Sequence, residues 1–166
     1  MKKLFATIAV FSTLLLTACG FAPVYGTGGG ASPAQEQLAQ IHIENIPNRE
    51  GQYLRNALID RFYRHGRPQD PAYILDISRI AESRTDLDIT KSSDSTRGQL
   101  RISAAINLKR KGETEPVLNR SLRAVTSYNI LGSEFATNIT EQDARENALD
   151  GLAQQIETQL ALYFNR

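Results

Sequence analysis

Leu100, Ile102, Ala104, Ile106 and Leu108 alternate without a break with Gln99, Arg101, Ser103, Ala105 and Asn107. Strict period two gives a strand with one face buried and the other turned to water or a polar partner. Lys111-Gly112-Glu113 follows as a turn, and Pro116 to about Thr126 reads as a returning strand of a hairpin. Upstream, Ala39 to Ile46 sets Ile41 and Ile43 against His42 and Glu44, a short first strand. Tyr73 to Ile80 is another strand, apolar on both sides, so alternation alone does not fix its register. Helical spacing appears twice. Leu54, Ala57, Leu58 and Phe62 make one stripe in a helix from Asn48, read as its cap, to about His65, with Gly66 at the left-handed terminating position. Leu149, Leu152, Ile156, Leu160 and Tyr163 make the stripe of a final helix from Thr140, again read as a cap, to Phe164. Thr85 to Thr96, rich in serine and aspartate, reads as a long loop or hairpin tip.

The order is therefore β-α-β-β-β-α. One apolar face per element is satisfied by an α+β two-layer sandwich, with two helices packed on one face of a four-stranded, mostly antiparallel sheet. Residues 39–166 form this single domain, and its second sheet face stays polar.

Before it, Lys2-Lys3, the apolar run Leu4 to Leu16 and the small residues Thr17-Ala18 form a secretory signal. The run is too short for an ordinary membrane-spanning helix, which needs about 20 apolar residues. Leu16-Thr17-Ala18-Cys19 resembles the lipobox of bacterial lipoproteins, which implies cleavage between Ala18 and Cys19 and acylation of Cys19. Cys19 is also the chain's one cysteine, so no internal disulfide can form. Residues 1–18 are then the signal and 19–38 a lipidated N-terminus and tether, flexible over Thr27-Gly28-Gly29-Gly30-Ala31-Ser32-Pro33-Ala34. Phe21 and Tyr25, beside the lipid, suit a membrane-surface contact or docking onto a partner. Gly20 after the cysteine, rather than aspartate, implies by the same resemblance an outer-membrane location, in the periplasmic leaflet. Two or three acyl chains hold such an anchor firmly, at about 0.8 kcal/mol per buried methylene.

Charge narrows the function. The whole chain carries +1, and losing Lys2 and Lys3 leaves 17 basic residues against 18 acidic ones. A near-neutral domain lacks the broad basic face of a nucleic-acid binder. No catalytic constellation emerges. His42 and His65 are the two histidines, neither in a metal-ligand spacing, and the glycine run precedes no phosphate-loop lysine. The reading is not an enzyme, with no cofactor and no metal. Arg61, Arg64, His65 and Arg67 at the end of the first helix either compensate its dipole or form a patch for acidic partners. Arg101 on the polar sheet face and Arg123 on the next strand could form a second such patch.

The string Cys19-Gly20-Phe21-Ala22-Pro23-Val24-Tyr25-Gly26 resembles the mature N-terminus of the LPS-assembly lipoprotein family LptE, in its alphaproteobacterial form. Ser127-Tyr128-Asn129, followed by Ser133-Glu134-Phe135-Ala136 and a long terminal helix, is a second match. The resemblance implies a plug inside the outer-membrane β-barrel LptD, helping that barrel assemble and binding lipopolysaccharide during its insertion into the outer leaflet. On that reading Arg101 and Arg123 are candidates for lipopolysaccharide phosphates, while Phe21, Tyr25, Tyr128, Asn129 and Phe135 are candidates for partner contact. The aromatics of Ser127 to Ala136 could equally pin that segment to the core. The rival reading is a lipid-binding or accessory lipoprotein of another outer-membrane trafficking or β-barrel assembly complex.

Overall fold

The long alternating strand is the spine of the molecule. In a computed structural model describing residues 33–64, 66–87 and 96–165, it runs from Arg97 to Arg110. The elements, in chain order, are α1 (Pro33–Leu38), β1 (Ile41–Ile43), α2 (Asn48–Phe62), β2 (Tyr73–Ile77), β3 (Ala81–Asp86), β4 (Arg97–Arg110), β5 (Pro116–Asn129) and α3 (Glu134–Phe164). The signal, Cys19, Phe21, Tyr25 and His65 lie outside the described residues.

The α+β class and the mostly antiparallel sheet hold. Among the described residues, however, the sheet has five strands rather than four, and three helices accompany it. The added strand has a definite cause. β2 pairs with the C-terminal half of β4, Ile77 opposite Ile106, while β3 pairs with its N-terminal half, Ala81 opposite Ser103. The two are consecutive pieces of one partner to β4, broken at residues 78–80. At the break Ser78 N–H still donates to Ala105 O (2.9 Å), and the Ser78 hydroxyl accepts Ala105 N–H (2.9 Å). A side chain thus replaces one rung of the ladder, and the strand resumes three residues on. The stretch from Thr85, expected as loop, begins inside β3.

β5 pairs with the other side of β4 along nearly its whole length, Arg97 opposite Asn129 and Leu108 opposite Leu118. β1 joins β2 in parallel, Ile41 opposite Tyr73, with α2 as the crossover. Leu100, Ile102, Ala104, Ile106 and Leu108 are all buried, as the alternation requires. Leu54, Leu58 and Phe62 of α2 and Leu149, Leu152, Ile156 and Leu160 of α3 meet them in one core.

Boundary differences follow local chemistry. Asn48 does not cap α2 through its side chain; it sits at φ 74, a left-handed conformation that asparagine tolerates, with Pro47 extended before it. Gly66 does take its left-handed value, φ 100, but α2 has already ended at Phe62. α3 starts at Glu134, before Thr140, whose hydroxyl lies 2.9 Å from both Thr137 O within the helix and Asn129 O across from it, its one proton shared between them, instead of capping. Pro33–Leu38, read as the end of the tether, is helical and buries Ala34 and Leu38.

Where the apolar stripe of α3 runs out, charge takes over. Arg145 Nε donates to Glu82 Oε2 (2.9 Å) and its Nη2 to Glu141 Oε1 (2.5 Å), while Arg84 Nη2 reaches Glu82 and Glu141, each at 2.9 Å. Glu82 and Arg84 stand on the core side of β3, opposite Ile102 and Leu100, so this network stitches α3 to a strand with no apolar row. The Arg145 hydrogen bond holds the Glu82 carboxyl below the usual carboxylate range. A second pair, Arg61 Nη1 to the buried Glu157 Oε2 (3.2 Å), joins α2 to α3.

Leu152→Ala, which opens a cavity under α3, is expected to cost about 2–5 kcal/mol in urea unfolding. The depressed Glu82 contributes stability above the ordinary carboxylate pKa of about 4.3, lost as pH falls through its lower folded value. Glu82→Gln should therefore melt below wild type at pH 7, with the gap closing as pH falls below the ordinary carboxylate range; a gap independent of pH would refute the assignment.

Candidate functional site

All three described helices lie on the core side, so the outer row of the sheet is left without a second layer among the described residues. Along β4 that row is Gln99, Arg101, Ser103, Ala105, Asn107 and Lys109; along β5 it is Asn119, Ser121, Arg123, Val125 and Ser127. β3 adds Ala81, Ser83 and Thr85. Hydroxyls, amides and short side chains dominate, a flat polar plate with little shape of its own.

Arg101 and Arg123 come together on it. Arg101 stands opposite Val125 and Arg123 opposite Ser103, which makes the two arginines diagonal neighbours about 7 Å apart. Both are exposed. Their surroundings on this face are Ser83, Gln99, Ser103, Ser121, Val125 and Ser127, with no carboxylate among them. Among the described residues neither guanidinium has an ion pair or a side-chain hydrogen bond. Arg84 and Arg145 are neutralised by Glu82 and Glu141, Arg61 by Glu157 and Arg110 by Glu113, while others such as Arg49, Arg79 and Arg120 also have no ion pair among the described residues. Two uncompensated forks at this spacing can take one phosphate between them, or two phosphates of one headgroup. Acidic Asp76, opposite Asn107, lies further along the same face.

The partner-contact candidates separate. Tyr128 is turned to the core and is 9% exposed, lying over Gly98, its partner across the strands. A Cβ at Gly98 would overlap the Tyr128 ring, so the glycine is there to receive it. Burial raises the Tyr128 phenol pKa. Tyr128 is thus packed into the core rather than displayed on the surface. Asn129 is exposed at the strand end, its carbonyl taken by Thr140 Oγ1. Phe135 is 75% exposed on the first turn of α3, with Ile139 (52%) one turn on and Leu131 (45%) beside them. Thr137 locks this corner, its hydroxyl accepting Leu131 N–H (2.9 Å) and bonding Ser133 O (3.1 Å).

Ile139 escapes a sequence reading as a companion of Phe135 and Leu131, because a helix begun at Thr140 leaves it in a loop. The spacing of Phe135 and Ile139, one helical turn, is the signal that could have found it. No group of three or more metal-ligating side chains occurs among the described residues, and none of the described helices is long and apolar enough to cross a membrane.

The family LptE, described as lipopolysaccharide-assembly, matches residues 38–161. Three solved structures share the fold. A lipoprotein from Caulobacter crescentus CB15 is 22% identical, with a TM-score of 0.61 over 80% of this chain and 96% of that one. The rare lipoprotein B from Shewanella oneidensis is 11% identical, with a TM-score of 0.58 over 74% and 92%. A minor lipoprotein from Acinetobacter baumannii is 21% identical, with a TM-score of 0.54 over 74% and 89%. No curated protein sequence matches the chain.

Tyr128→Ala leaves a void over Gly98 and should cost about 3–5 kcal/mol in urea unfolding, in line with other large aromatic truncations. Phe135→Ala, by contrast, should leave the melting temperature within about 2 °C of wild type, as surface substitutions do.

Proposed function

The chain belongs to the LptE family of lipopolysaccharide-assembly proteins, and from that premise we propose that it is an outer-membrane lipoprotein, anchored at Cys19, that plugs an LptD-type β-barrel. In this role it assists the barrel's assembly and handles lipopolysaccharide on its way to the outer leaflet. The anchored chain needs no catalytic group; it needs a rigid body that fits a polar lumen and a surface that recognises a phosphorylated glycolipid. A one-sided core supplies the rigidity, and a polar uncovered sheet face suits a water-lined barrel interior.

The observation that carries the proposal is the unneutralised pair Arg101 and Arg123 on that face. Phosphates of the lipopolysaccharide headgroup sit between them, with Ser83, Ser103 and Ser121 as neighbouring hydroxyls for sugar oxygens. Phe135, with Ile139 and Leu131, is the apolar contact to the barrel, and Asn129 lies beside it. Phe21 and Tyr25 hold the lipidated end against the membrane or the barrel rim.

The test is the double variant Arg101→Ala plus Arg123→Ala. Both side chains are exposed, with no ion pair among the described residues, so the melting temperature should stay near wild type. Binding of purified lipopolysaccharide should weaken by roughly tenfold to a hundredfold, the loss of two charge-assisted contacts. Unchanged binding at unchanged stability would discard the arginine site.

A further inference from the structure

β5 is an edge strand of 14 residues, and its free side is unevenly closed. Which groups face outward follows from β4. Ala105 turns both its N–H and its C=O to Ser78, on the β2–β3 side. Arg97 C=O likewise accepts Leu87 N–H, the residue after β3 (2.8 Å). In an antiparallel ladder a residue directs both main-chain groups to the same side, and the side alternates. The even-numbered residues of β4 therefore bond to β5, and their partners Leu118, Arg120, Leu122, Ala124, Thr126 and Tyr128 are the bonded members of that ladder. The residues between them, Asn119 to Asn129 in steps of two, present their N–H and C=O to the open edge.

Both ends of this edge are covered. Arg120 Nη1 donates to Asn119 O (2.9 Å), and Thr140 Oγ1 donates to Asn129 O (2.9 Å). Between them, Ser121, Arg123, Val125 and Ser127 have no such cover among the described residues. This open window, Ser121 to Ser127, spans about 24 Å at strand rise. Proteins ordinarily blunt so long an edge, and here the two extremities are blunted while the middle is left open.

We infer that the edge from Ser121 to Ser127 is a β-addition site, taking an extended acidic segment of another protein as a sixth strand. Charge selects the occupant. From Pro116 to Ser133 there is no aspartate or glutamate, while Arg120 and Arg123 are both basic. A second copy pairing edge to edge would set like charges against each other, which destabilises cross-strand pairs. A segment carrying a carboxylate beside Arg123, and an apolar side chain two residues away beside the half-exposed Val125, meets the edge's own pattern. Main-chain hydrogen bonds supply the affinity, and these two side chains the selectivity. The site shares Arg123 with the proposed lipopolysaccharide contact, so a bound acidic segment and a phosphate would compete for that side chain, but it does not depend on the barrel's identity.

The probe is a threonine-rich synthetic octapeptide with glutamate and valine two residues apart, added to the detergent-solubilised full-length protein. Amide hydrogen exchange is read residue by residue. Exchange at Ser121, Arg123, Val125 and Ser127 should slow by roughly tenfold or more, while the already bonded Leu122, Ala124 and Thr126 stay as they were. Val125→Pro removes one outward donor without touching the β4 ladder, as proline on an edge strand allows, and should abolish the effect. Arg123→Glu should lose the glutamate peptide and take up a lysine version. The inference is overturned if no alternate protection develops, or if protection grows with protein concentration without peptide. It is equally overturned if wild type and the Arg123→Glu variant do not differ in their preference between the two peptides.

Discussion

One packing contact governs the rest of the structure: the unbroken inner row of β4 against the stripe of α3. Leu100 to Leu108 on the strand and Leu149 to Leu160 on the helix are buried together, and every other element is placed by its relation to this pair. β5 and the broken β2–β3 strand pair with the two sides of β4. α2 returns the chain in parallel beside β2, and its own stripe closes the core from the other helix's flank. Because β4 alternates strictly, the core is confined to one side. The second sheet face carries no helix layer among the described residues.

At the margins of that core the protein substitutes polar ties for apolar contact. β3 has no buried residue, yet it is held because Glu82 and Arg84 meet Glu141 and Arg145 of α3. Such a network costs desolvation and returns geometry; here it fixes the approach of a long helix whose first turns have little to bury. The same turns carry Phe135 and Ile139 outward. The corner is therefore rigid, through Thr137 and the arginine network, while presenting apolar surface.

Much of this was legible in the residues. β4, the hairpin to β5, the stripes of α2 and α3 and the one-sided core follow from periods of two and 3.6 alone. The shared face of Arg101 and Arg123 follows from the same alternation. β3 was not legible, because Ala81-Glu82-Ser83-Arg84-Thr85-Asp86 has no apolar row; its inward partners are ions on a helix far along the chain. The start of α3 was misplaced because a threonine hydroxyl that bridges to Asn129 looks, in sequence, the same as one that caps. Tyr128 was readable in principle. It keeps the parity of Leu118, Leu122 and Ala124, and extending the strand three residues turns it inward onto Gly98.

The plug role stands or falls on what the anchored protein sits in. Tagged full-length protein would be extracted from outer membranes in mild detergent, purified, and its companions identified and quantified by mass spectrometry. An LptD-type β-barrel in equal stoichiometry is the predicted result. Recovery of the lipoprotein alone, or with a different membrane machine, would contradict the plug role while leaving the fold and its family membership intact.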